Sequence, residues 1–151
     1  VRVCTTRPAW QVLHFQMQAL VESRHGTRDG GKFHIPHGRA NGILLPYVMS
    51  FNAGCAEQLT PTAKRYAQIS RLLRLDTSSV RQSALNMIRT ARTFIKKMNM
   101  PCTIEAAGVT KEQFEAELDE MAAAALADRC TATNPQPVTV ETLRKFTARL
   151  L

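Results

Sequence analysis

From residue 38 onward the apolar positions recur almost throughout at helical spacing. Ile43, Leu44, Tyr47, Val48 and Phe51 fall on one helix face, and Pro46, which removes a backbone donor, predicts a kink there. Thr60 as cap and Pro61 in the first turn predict a second helix, whose inner face runs Ala63, Tyr66, Ile69 or Ser70, and Leu73. After Asp76-Thr77-Ser78-Ser79, spacings of four and three place Ala84, Ile88, Ala91, Ile95 and Met98 on one stripe, and Pro101 ends that helix. Thr110 and Gln113 make a capping-box pair ahead of Phe114, Leu118, Met121 and Ala125, and Thr139 caps a last helix carrying Leu143, Phe146 and Leu150. No stretch alternates with a strand period over a useful length, so the fold class expected is all-α. Residues 1–30 follow no such pattern, and the polar run Glu22 to Gly31 in particular is aperiodic.

At 151 residues with 44% hydrophobic and 21% charged side chains, the chain suffices for one core and is short for two ordinary domains. The apolar content excludes wholesale disorder, and no apolar run approaches the roughly 20 residues a membrane helix needs. The longest apolar patch, Ile43 to Phe51, is interrupted by Pro46 and Ser50. Position 1 is Val, which suggests a fragment, and no basic flank leads into an apolar stretch as a secretory signal would. Cys4, Cys55, Cys102 and Cys130 are widely spaced with no Cys-x-x-Cys pair, which reads as reduced thiols in a cytoplasmic protein.

The net charge of +8 and the pI near 9.9 bring nucleic acid into consideration. The distribution argues otherwise. Between Lys64 and Lys97 nine basic residues face Asp76 alone, whereas the segment from Glu105 to Asp128 is acidic apart from Lys111. Only Tyr66 and Phe94 are interleaved with the basic stretch, at positions that suit the core, so the charge is read as the solvated faces of two helices. A basic helical nucleic-acid module stands as the alternative, as does an interaction remnant whose uncovered apolar surface self-associates.

His25, His34 and His37 lie within thirteen residues, and imidazole is a common ligand for transition metals. Spacing alone makes this a weak signal. Pro36 pushes Ile35 toward an extended conformation, so the rings of His34 and His37 need not share a face. No nucleophile triad, phosphate loop, dinucleotide fingerprint or paired-carboxylate arrangement is present that would assign a catalytic or cofactor-binding residue.

The run from Phe33 to Asn52, with Pro36-His37-Gly38 at its head, resembles a signature of the iron-containing alcohol dehydrogenases. Ile104 to Thr110 followed by Phe114 is similar to that family's linker and next helix, and Ala124, Leu126, Asp128, Cys130, Thr131, Asn134 and Pro135 resemble its C-terminal landmark. The resemblance covers residues 31–151 and implies an all-helical C-terminal domain that normally faces an N-terminal nucleotide-binding domain. It implies a divalent iron, sometimes zinc, in the cleft between them, bound by one Asp and three His. The last of these His matches His37, carried on a helix starting at Arg39. It also implies NAD or NADP as hydride carrier and a small alcohol or aldehyde as substrate, the metal acting as Lewis acid. Residue type and resemblance give Asp128 and Asn134 turn and cap roles before the last helix.

Where the family carries a His-x-x-x-His pair, this chain has Ser23 and Thr27, with His25 between them. The other ligands and the nucleotide-binding domain belong upstream, so the chain alone is expected to bind metal poorly and to be inactive. Residues 21–28 can be encoded so that a shift of one base places histidines over codons 23 and 27. Residues 1–30 are therefore read as an atypical segment, a frame-shifted relic or a sequencing error, and residues 31–151 as the C-terminal helical domain of an oxidoreductase that has the capacity to form homo-oligomers.

Overall fold

A proline sets the start of the first helix in the computed structural model, which describes residues 33–127, 134–147 and 149–150. Pro36, at φ −55° and ψ 135°, is the N-cap of α1 (His37–Ala53), and its carbonyl accepts from the N–H of Arg39 at 2.8 Å and of Ala40 at 3.1 Å. The helix thus begins two residues earlier than Arg39, because the extended Pro36 presents its carbonyl to the first turn. It continues through Pro46 and stops at Gly54, whose φ of 64° lets Gly54 N–H reach Phe51 O and Cys55 N–H reach Ser50 O.

α2 (Pro61–Leu72) starts where Thr60 and Pro61 predict, and α3 (Val80–Lys97) starts after Ser79. A short 3₁₀ turn (Glu105–Ala107) leads to α4 (Lys111–Ala127), and α5 (Val140–Thr147) comes last. The Thr110–Gln113 and Thr139 caps read from sequence are in place and Ser79 adds another, whereas Thr60 stands at the N-cap position of α2 without a side-chain cap bond. Gln82 N–H donates to Ser79 Oγ, Thr110 and Gln113 exchange reciprocal bonds at 3.1 and 3.3 Å, and Thr142 N–H donates to Thr139 Oγ1. Among the described residues there is no strand beyond one isolated bridge at Ile35, so the fold is all-α, and no described helix is long and apolar enough to cross a membrane.

α2 packs along α3, α1 against both, and α4 against α5. Small side chains make the first junction close: Ala53, Ala63 and Ala84 are buried together where α1 ends and α2 meets α3. The α2–α3 turn is tied by polar groups that could not be buried unpaired. Ser70 Oγ donates to Ser83 O at 2.6 Å, Thr77 N–H to Ser83 Oγ at 2.9 Å, and Asn86 Nδ2 to Leu75 O at 2.8 Å. Of the two sequence options on α2, Ser70 is therefore the inner residue and Ile69 is exposed. The main core gathers Ile35, Leu44, Val48, Ile104, Phe114, Met121, Phe146 and Leu150 around α1.

Three apolar positions expected inside lie outside. Leu73 and Met98 are C-cap residues of α2 and α3, past the last turn that touches a neighbour, and are 51% and 60% exposed. Phe94 precedes buried Ile95 by one residue, about 100° around the helix from the inner stripe, and is 61% exposed. Removing the α3 cap with Ser79→Ala should cost about 1 kcal/mol, a drop of about 2–4 °C in Tm by circular dichroism. An unchanged Tm would show that the Thr77 and Ser83 hydrogen bonds hold this turn without the cap.

Candidate metal-site end of the bundle

His37 opens α1, so its backbone is fixed by helical hydrogen bonds and by the packing of Ile35 (2% exposed) and Ala40 (fully buried) on either side. Arg39 and Gly38 in the same turn are exposed, and an added Cβ at Gly38 would meet nothing within 4 Å. Among the described residues, nothing crowds this end of the helix at Gly38. His34, three residues earlier, is exposed at φ 50°, in the left-handed region, and belongs to the turn before the bridge at Ile35. The structure thus separates the two histidines into different backbone environments. His25, Ser23 and Thr27 lie outside the described residues, as do Asp128, Cys4 and Cys130.

Among the described residues no group of three or more His, Cys, Asp or Glu is placed to hold a metal ion. Among the described residues the one imidazole that matches the family's ligand, His37, is fewer than the three or four protein ligands such sites use.

Sequence reasoning missed the residues that shape the opposite end of α1. Arg81 on α3 donates to the carbonyls of Cys55 and, at 3.0 Å, Glu57, clamping the loop that follows Gly54. The half-buried Cys55 thiol is pushed up by burial, an effect that Arg81's charge opposes. Cys55 and Cys102 are both free thiols. Asn52 is fully buried, and its amide atoms find no hydrogen-bond partner among the described residues. Its backbone carbonyl accepts from Thr60 Oγ1 at 2.5 Å. Asn134 takes the turn role expected of it, its Nδ2 donating to Gln136 O at 2.8 Å, while Gln136 Nε2 reaches Phe51 O.

Comparison with known proteins identifies the family of this all-helical domain. The profile of the Fe-containing alcohol dehydrogenase family, C-terminal, matches residues 25–151, and the chain belongs to that family. The NADPH-dependent butanol dehydrogenase of Clostridium saccharobutylicum is 31% identical over 119 residues, covering 79% of this chain and 29% of that protein. The 1-propanol dehydrogenase PduQ of Salmonella typhimurium is 34% identical over 124 residues, covering 81% of this chain and 32% of that protein. Among solved structures, an alcohol dehydrogenase from Oenococcus oeni superposes with a TM-score of 0.69 at 25% identity, over 95% of this chain and 32% of that one. A 1,3-propanediol oxidoreductase superposes with a TM-score of 0.72 at 22% identity, over 93% of this chain and 32% of that one, and shows the fold alone. The chain thus spans about a third of the length of these relatives.

Proposed function

We propose that this chain is the C-terminal helical part of a larger NAD- or NADP-linked alcohol dehydrogenase, residues 31–151 forming the domain and His37 supplying one ligand to a divalent iron or zinc. The observation that supports it is the family match over residues 25–151, in which Pro36-His37-Gly38 coincides with the capped, rigid start of α1. The role of this part is to hold one imidazole on a helix whose direction is fixed by Pro36 and by core packing. The remaining ligands and the nicotinamide site then come from elsewhere in the intact protein. Small alcohols and aldehydes are the substrates proposed, by analogy with the butanol and propanol enzymes. Reduced Cys55 and Cys102 fit a cytoplasmic setting, and Leu72, Leu73, Phe94 and Met98 offer apolar surface for a further domain or a homo-oligomer contact. Residues 1–30 are proposed to be a frame-shifted relic or a sequencing error, of which residues 25–30 fall within the family match.

Hydride transfer requires the nicotinamide and the alcohol to be held together, so the 151-residue chain alone should show no NAD- or NADP-dependent oxidation of butanol. The direct test is a chimera in which residues 31–151 replace the matched segment of the Clostridium butanol dehydrogenase. It should be active and metal-bound, and His37→Ala should lower its bound metal and reduce its rate at least about tenfold. Full activity and metal content in the His37→Ala chimera would overturn the assignment of His37, and turnover by the isolated chain would overturn the division of labour.

A further inference from the structure

The C-terminal half of α1 borders a cavity of about 770 Å³ that no part of the foregoing reading uses. Its first lining residue, Pro46, is nine positions beyond His37, so the cavity lies about 14 Å along the helix axis from the candidate metal site. The volume is within the range of small-molecule sites, about 300–1,000 Å³.

Its walls divide into two chemistries. Tyr47 and Phe51 of α1, Ile88 of α3 and Phe146 of α5 supply an apolar floor. Around it stand Arg89 and Arg92 from α3 and Arg149 from the chain end, all exposed. The Arg92 guanidinium lies over the Tyr47 ring, its carbon 5.1 Å from the ring centroid. Among the described residues none of these three arginines is in an ion pair, whereas Lys145, the remaining cation of the lining, is held by Glu141 at 2.8 Å. Glu57 is the one carboxylate in the lining. The α2 start also borders the space: Thr60 and Pro61 line it, the first turn carries no acidic residue, and the Thr60 hydroxyl is turned to Asn52 O instead of capping. That leaves the positive end of the helix dipole uncompensated beside the arginines.

An apolar floor under three guanidinium groups with no ion pair among the described residues is complementary to a ligand that carries an alkyl body and one negative charge. We propose that this cavity is a binding site for an amphipathic monoanion, a medium-chain carboxylate whose chain lies on Phe51, Ile88 and Phe146 and whose head is held by Arg89, Arg92 and Arg149. Both halves of the ligand are required. The floor alone would accept a neutral alkyl compound equally well, and the arginines alone would accept any small anion.

The test is calorimetric titration of the 151-residue chain with three probes below micellar concentration: sodium decanoate, decanol and inorganic phosphate. Decanoate should bind with one-to-one saturation, and decanol and phosphate at least tenfold more weakly. Arg89→Gln with Arg149→Gln, two exposed positions whose loss spares the core, should weaken decanoate at least tenfold with an unchanged thermal melt. Lys64→Gln with Arg65→Gln, exposed cations on α2 that do not line the cavity, should leave it unchanged. Equal affinity for decanol would reduce the site to an apolar surface, and equal affinity for phosphate would reduce it to a charged one. Either of these, undiminished binding by the Arg89/Arg149 variant, or no decanoate binding at all would overturn the proposal. None of these readouts involves metal or dehydrogenase activity, so a failure here is independent of the fate of the His37 assignment.

Discussion

Phe114→Ala will remove a large share of the domain's stability. Phe114 sits on the first turns of α4 with no exposed surface, in the cluster that joins α1 to α5, and its ring meets Phe33 at 5.9 Å between centroids. Truncating it deletes the aromatic transfer term and opens a cavity that Leu44, Ile104 and Met121, already close-packed, cannot fill without leaving their own contacts. Buried phenylalanine truncations cost about 3–5 kcal/mol, against a total of about 5–15 kcal/mol for an ordinary domain. In urea the unfolding midpoint should fall by about 2 M if the slope is about 2 kcal/mol/M. The internal control is Phe94→Ala, which removes the same atoms from a position 61% exposed and should shift stability by no more than about 0.5 kcal/mol. Equal midpoints for the two variants would mean that the packing around α4 is wrong.

That contrast between two phenylalanines marks how far the sequence could be read. The helix starts were legible where capping chemistry is local: Thr110 with Gln113 and Thr139 act on backbone groups within three residues, and Pro61 marks the first turn of α2 although the Thr60 hydroxyl bonds Asn52 O instead of capping. The inner stripes were legible where a partner covers them, as with Ala84, Ile88 and Ile95. Phe94, Leu73 and Met98 were not, because periodicity states which residues share a face and not where the neighbouring helix ends. Ser70 shows the reverse case. A hydroxyl can take an inner position only when a specific acceptor, here Ser83 O, stands thirteen residues away in sequence, and no local pattern encodes that.

The candidate sites divide in the same manner. Three loosely spaced histidines are a weak pattern, and His37 stands out from the others only through the residues around it, Pro36 and the apolar helix that follows. The structure adds that His37 begins a helix whereas His34 lies in a left-handed turn. The cavity was not legible at all. Its arginines belong to α3 and the chain end and its floor to α1, α3 and α5, so in sequence they read as ordinary surface charge and ordinary core. The same holds for Arg81, whose acceptors lie 26 and 24 residues before it.

Gly54→Ala should be the second large loss, and it tests the loop on which that cavity depends. Gly54 ends α1 at φ 64°, a conformation that costs an L residue about 1–2 kcal/mol. A Cβ there would also fall within the van der Waals shell of the Gln58 carbonyl oxygen and lie 3.2 Å from Thr60 Cγ2. The obstruction is backbone, and the loop is not free to withdraw: Arg81 holds the carbonyls of Cys55 and Glu57, and Thr60 is bonded to Asn52 O. Together the two effects should cost about 3 kcal/mol, seen as a fall of about 6–12 °C in Tm. Gly42→Ala provides the comparison, since its Cβ would meet Met100 Cε at 2.8 Å, the far end of a flexible side chain, and the change also improves helix propensity. Its net effect should stay within about 1 kcal/mol. Gly54→Asn separates the two causes at Gly54, because asparagine tolerates positive φ but carries the same Cβ. A Gly54→Asn variant as unstable as Gly54→Ala identifies the contact with Gln58 as dominant. Recovery of most of the loss would place the cost in the backbone conformation and leave the loop freer than its hydrogen bonds imply.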